Sequence, residues 1–275
     1  MEFEKKPFKI FIVILTLGLM IHSLVDSISL RSLFNLKAFE IIVAGIIISI
    51  IISFSFENLI YTIRTIKKSF KYEIDYYKDI YKIYNLSIKI KKSGNLSVQN
   101  EMEEENDIFM KNALSMIADS KTEEDIISII DSDIESRKIN LYIPYNVMKL
   151  IAHVSPAFGL IGTLVGLISL LSDLTNPALI MDSMASALVS TLYGSMLANF
   201  LAVPLMNRIK NYIDKNMLRY RIIKEGILLL SKNDSPRNVF DKMNVMLEES
   251  NRLEYPNEPI FRIEEKVENY YEEIQ

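Results

Sequence analysis

Between His153 and Pro204 the chain reads HVSPAFGLIGTLVGLISLLSDLTNPALIMDSMASALVSTLYGSMLANFLAVP. Two apolar stretches of membrane-spanning length are joined by a turn of about eleven residues. Spanning helices usually fill such positions with Leu and Ile, whereas here Gly, Ala, Ser and Thr recur. Small residues let helix backbones approach. The two helices are therefore expected to pack closely against something polar.

Apolar residues make up 49% of the 275 positions and fall in four blocks: Phe8–Val25, Ala38–Ile60, Leu150–Leu171 and about Met184–Leu205. Most of the charge lies between and after them, which predicts an all-α membrane protein with four transmembrane helices and a helical aqueous part. The expected layout is spans one and two over 1–60, a cytoplasmic helical domain over 61–149, spans three and four over 150–205, and a helical cytoplasmic tail over 206–275. The chain has no Cys, and its two His are His22 and His153. Thiol catalysis, a Cys-ligated metal and a His-based metal or triad site are thereby excluded or disfavoured, and neither an enzyme nor a cofactor is expected. A net charge of −4 without a basic stripe gives no sign of nucleic-acid binding.

The first block follows Lys5, Lys6 and Lys9, as a secretory signal would, but no small-x-small cleavage site comes after it, so a retained span is expected. Arg64, Lys67, Lys68 and Lys71 follow the second block, and Arg208 and Lys210 follow the fourth. This bias predicts a multi-pass membrane protein with both termini and the long middle segment in the cytoplasm.

In that segment Tyr76, Ile80, Ile83 and Tyr84 recur at helical spacing, and Ser93-Gly94-Asn95 reads as a turn before the acidic run Glu101–Asp107. Another helix is expected around Phe109, Ala113, Met116 and Ile117, and Thr122-Glu-Glu-Asp125 fits a capping box opening a further one. After span four a charged helix runs over Asn207–Leu230. Ser235-Pro236 breaks it, and Asn238–Glu249 forms a last short helix.

Charged residues inside spans usually mark ion paths, yet Asp26, Glu40, Glu57, Asp173 and Asp182 all sit at span ends. If the chain conducts ions, the titrating carboxylate must come from another protein. Hydroxyls are the remaining polar groups. Thr163 lies about 15 Å along a helix from Asp173 and Thr191 about 14 Å from Asp182, so both stand near the midplane. Gly159, Thr163 and Gly166 share one face of span three; Ala187, Thr191, Gly194 and Ala198 share one face of span four, with Ser190 beside Thr191. These faces suit either simple packing, each Thr bonding its own i−4 carbonyl, or a polar partner. Asn199 suggests an interhelical hydrogen bond. Pro156 and Pro204, near the cytoplasmic ends, are expected to bend their helices.

Ser155–Leu167, Asn176-Pro177, Met184–Asn199 and Pro204 closely resemble the MotA/TolQ/ExbB family of ion-driven membrane motors, and the flagellar stator subunits of the MotA type within it. The likeness continues more loosely in Phe34-Asn35 with Ile42-Val43-x-Gly45, in Phe109 with the Thr122–Glu135 helix, and in Ser235-Pro236-Arg237. Four spans with the large loop after the second match MotA rather than TolQ or ExbB. The resemblance implies a homopentameric ring around a dimeric MotB-like partner with one span, an essential Asp and a peptidoglycan-binding domain. It also implies coupling of proton or sodium influx to flagellar rotation, through contact with a rotor switch protein. On this likeness Thr163 and Thr191 face the partner's Asp, with Ser190, Ala187, Gly159 and Gly194 beside them, and Pro156 and Pro204 are the functional prolines. One departure concerns the rotor contact: Lys91 precedes Gly94 as in relatives, but the matching acidic position is Gln99. Glu101, Glu103 and Glu104 are the acidic candidates that remain. The alternative is a related energising subunit that drives transport, gliding or defence.

Overall fold

The computed structural model describes residues 34–71, 74–172 and 177–256, with scattered positions between 11 and 23. Every regular element among these residues is helical. In the first expected span, Phe8–Val25, the described positions Phe11, Ile12, Ile14 to Thr16, Gly18, Leu19, His22 and Ser23 are helical, and the rest lies outside the described residues.

Helix α1 (Leu36–Ser53) opens on Asn35, whose side chain accepts from the Ala38 amide, and ends where Phe54 turns extended. Ser55 then caps α2 (Phe56–Lys71), its Oγ accepting from the Asn58 amide at 3.3 Å. The second apolar block is thus two helices, not one span to Ile60, because Ser55 and Asn58 offer the backbone a local cap.

Asp75 caps α3 (Tyr76–Ser93), which ends at Gly94 with φ +75°, a conformation glycine adopts without strain. A 3-10 turn, Asn95–Val98, leads into α4 (Gln99–Glu104). Asp107 accepts from Phe109 and Met110 to start α5 (Ile108–Ala118). The Thr122 hydroxyl accepts from the Asp125 amide at 3.2 Å and donates to the Asp125 carboxylate at 2.7 Å. The helix this opens, α6 (Glu123–Ser172), runs on through Pro144 and Pro156, so the expected loop helix and span three are one element.

Helix α7 (Pro177–Met196) leads through a π-helical stretch, Leu197–Ala202, into α8 (Val203–Ser231). The expected start near Met184 moves forward to Pro177, a good first helical residue. The wide turn comes just before Pro204, which lacks an N–H and crowds the preceding turn; local widening accommodates it. Ser235 caps α9 (Pro236–Asn244), which ends five residues earlier than the pattern suggested. Leu36–Ser53, Glu123–Ser172 and Ile180–Ser231 are long and apolar enough to cross a membrane.

The chain divides into two compact units. The first, Met1–Ile63 with Pro144–Asn207, inverts the pattern of a soluble domain. Ile47, Ile48, Ile52, Leu164, Ile168 and Leu188 are exposed on its outside, while Ala38, Gly45, Ser155, Ala187, Ser190, Ala198 and Ala202 are buried within. Its outer surface suits lipid or further helices, and its contacts rest on small residues. The second, Arg64–Ile143 with Arg208–Gln275, has an ordinary apolar core including Ile80, Ile83, Phe109, Leu114, Ile223 and Phe240.

Candidate functional site

Helices α6 and α7 meet along a ladder of small residues. A Cβ on Gly194 would stand 2.5 Å from the Ser155 carbonyl oxygen and 3.0 Å from Gly159 Cα. One on Gly159 would meet the Ser190 carbonyl oxygen at 3.0 Å, and one on Gly166 would meet Ala187 Cβ at 2.7 Å. Gly162 closes on Ser190 in the same way. The backbones are therefore in direct contact, which only glycine permits on the α6 side. Helix α1 covers this pair: Gly45 receives the Phe158 ring, Phe39 meets Tyr193 edge-on at 6.3 Å, and the Asn35 amide donates to the Tyr193 hydroxyl at 3.3 Å.

At one edge of the ladder Thr163 Oγ1 lies 3.1 Å from the carbonyl oxygens of both Gly159 and Ala187, and 2.5 Å from Thr191 Oγ1. The two hydroxyls expected at one depth thus touch. Thr163 is half-buried and Thr191 exposed. A hydroxyl donates one hydrogen. With Thr163 donating to a carbonyl, Thr191 donates to Thr163 and keeps its lone pairs on the open side.

The other residues singled out from the sequence are placed differently. Ala187, Gly159 and Gly194 are buried in the ladder and form its contact surface. Ser190 is 1% exposed, packs on Gly162 and donates to the Ser186 carbonyl at 2.8 Å, so in the single chain its side chain lies inside the seam. Asn199 donates to the Ser195 carbonyl of its own helix at 3.1 Å; the expected interhelical bond is absent from the described contacts because an i−4 carbonyl is within reach. Pro156 and Pro204 are both exposed. Gly162 was the seam residue missed. It lies between Gly159 and Gly166, and its spacing to either was the available signal.

The second unit holds the rotor-contact candidates and a charged centre the sequence did not reveal. Lys91 is exposed in the last turn of α3, Glu103 and Glu104 are exposed on α4, and Glu101 is ion-paired to Lys89. The centre is Arg219. Its Nε and Nη2 donate to the Asp79 carboxylate at 2.6 and 3.0 Å, and Nη1 donates to Asp107 at 2.6 Å. Burial disfavours the guanidinium charge, but the hydrogen bonds and charges of Asp79 and Asp107 outweigh it and raise the Arg219 pKa. Burial alone would raise Asp107; the Arg219 hydrogen bond, the Met110 and Phe109 amides and the guanidinium charge together hold it below the ordinary value. The Arg137 guanidinium lies over the adjoining rings of Phe109 and Tyr220, 5.1 and 5.6 Å from centres that are themselves 4.5 Å apart. Helices α3, α5, α6 and α8 are thereby joined through two arginines.

Residues 101–251 match the profile of the MotA/TolQ/ExbB proton channel family. A Bacillus subtilis relative named YtxD is 31% identical over 83% of this chain and 84% of its own length. Motility protein A of Aquifex aeolicus is 29% identical over 80% of this chain and 87% of its own. The fold is similar to that in a solved structure of C. jejuni MotAB, with a TM-score of 0.80, 20% identity and coverage of 89% of this chain and 96% of that one. The chain belongs to the MotA/TolQ/ExbB proton channel family, as the motifs Ser155–Leu167 and Met184–Asn199 had indicated.

Proposed function

We infer that this chain is the ion-conducting subunit of a flagellar stator, coupling proton or sodium influx to rotation together with a MotB-like single-span partner. The observation that carries the reading is the Thr163–Thr191 pair, whose outer hydroxyl is exposed on helices that contain no carboxylate at that depth. Relatives named Motility protein A and likeness to MotAB complexes support it. The chain crosses the inner membrane four times with both termini in the cytoplasm, and five copies surround the partner.

The chemistry follows from hydroxyl versatility. A partner Asp entering this low-dielectric surface favours its neutral form, because burial disfavours charge. Protonated, it donates to the outward lone pairs of Thr191. Ionised, it needs a donor, and Thr191 turns its hydrogen outward while Thr163 donates to Thr191 instead of to a carbonyl, which keeps one hydrogen in their short contact. One threonine pair therefore offers different partners to the two charge states, and successive copies of the ring compete for the Asp according to its protonation. We assign inward ion release to the neighbourhood of Pro156 and Pro204, which are exposed and lack the amide donor of the helix ladder.

Rotor contact falls to Lys91 with Glu103 and Glu104, since Glu101 is engaged by Lys89 and Gln99 carries no charge. Gln99 is also the one feature that favours the second reading, a related subunit energising a non-flagellar process.

Thr191→Val keeps shape and removes the hydroxyl. It is expected to lower ion flow and swimming at least about tenfold, the equivalent of one lost hydrogen bond in the conducting state, with membrane abundance unchanged. Wild-type swimming at normal abundance would remove Thr191 from the site.

A further inference from the structure

After α9 the chain turns back along that helix. The Asn244 side chain donates to the Leu253 carbonyl at 2.9 Å and accepts from the Leu253 amide at 2.8 Å, a reciprocal clasp. Tyr255 then packs edge-on against Phe240 at 5.4 Å and Tyr84 at 5.8 Å, under Arg237, whose guanidinium carbon stands 4.7 Å from the ring centre. The contacts step from Asn244 to Phe240 to Arg237, so the strap runs toward the start of α9 and, on α3, from Tyr84 toward Lys91.

That end of the unit carries exposed cations in excess of its carboxylates, although Arg237 is paired to Asp241 at 3.6 Å. Lys91 and Lys92 are exposed in the last turn of α3, and Arg237 and Lys242 are exposed on α9. Asp234 lies in the field of both Lys91 and Lys242. Tyr84 and Lys91 are about 10 Å apart along the helix, a distance three or four extended residues cover. Residues 257–275, which follow the strap, carry six glutamates against Arg262 and Lys266.

We propose that the acidic segment 257–275 docks in cis on the basic end formed by Lys91, Lys92, Arg237 and Lys242, with the Leu253–Tyr255 strap aiming it there. Resting on the stator reading, the docked tail competes with the rotor for Lys91 and so sets how readily the subunit engages. The strap raises the local concentration of the tail, which lets weak, salt-sensitive pairs suffice.

The chain lacks cysteine, so a disulfide pair can be introduced cleanly. Lys91→Cys combined with Glu264→Cys, in native membranes of full-length chain, is expected to cross-link within one chain at least about tenfold faster than Ser132→Cys with Glu264→Cys. Raising salt or changing the remaining tail glutamates to glutamine should abolish the difference. Equal rates for the two pairs, no cross-link at position 91, or a product of twice the chain mass would each overturn docking in cis. Swimming is a separate readout: deletion of 257–275 should increase rotor engagement. Cross-linking without any effect of the deletion on swimming would leave the docking intact and refute the competition with the rotor.

Discussion

Gly194→Val is expected to separate α6 from α7 and to abolish ion flow. The added Cβ alone would lie 2.5 Å from the Ser155 carbonyl oxygen and 3.0 Å from Gly159 Cα, both backbone atoms that cannot rotate away. The helices must part by more than half an ångström, and branched methyls demand more. Overpacking of this kind costs about 1–3 kcal/mol, and the geometric consequence exceeds the energetic one. The 3.1 Å bond from Thr163 to the Ala187 carbonyl and the 2.5 Å contact with Thr191 both cross the same seam and lengthen together. A lowered unfolding midpoint in detergent, with loss of conduction, is the expected pair of results. A variant that keeps conduction at wild-type level would show that the ladder does not set the threonine geometry.

Arg219→Leu is expected to destabilise the second unit selectively. It strands Asp79, 6% exposed and otherwise held by two hydrogen bonds from this guanidinium. Removing one partner of a buried pair costs about 3–5 kcal/mol, which for a unit of this size lowers the midpoint by roughly 10 °C. Lysine does not rescue, because a point charge cannot fork to Asp79 and reach Asp107 together. Arg219→Leu with Asp79→Leu should recover much of the loss, since apolar replacement of the pair removes the stranded charge. A double variant no more stable than the single one would mean that Arg219 acts through Asp107 or through packing instead.

These two sites differ in how far the sequence exposed them. The ladder was legible because helical rise and spacing alone put Gly159, Thr163 and Gly166 on one face and Thr163 level with Thr191. Which neighbour of Thr191 turns outward was not: Ser190 sits about 100° around the helix, and only the position of Gly162 sends it into the seam. The break after Ser53 was hidden by apolar Ile60, since hydropathy does not register a Ser-x-x-Asn cap. Continuity of α6 was obscured by its change from charged to apolar surface. The Arg219 centre joins residues 140 and 112 positions apart, beyond any local pattern. Half of the first span lies outside the described residues, and its place in the four-span reading rests on the lysines, the apolar run and the helical positions between Phe11 and Ser23.

Ion flux tests the central claim most directly. Cells lacking their own stators, expressing this chain with its cognate single-span partner, should acidify internally or take up sodium when a gradient is imposed. On this reading flux needs both chains and vanishes when the Asp proposed for the partner's span becomes Asn. Flux through this chain alone, or flux undiminished by the Asp→Asn change, would contradict it.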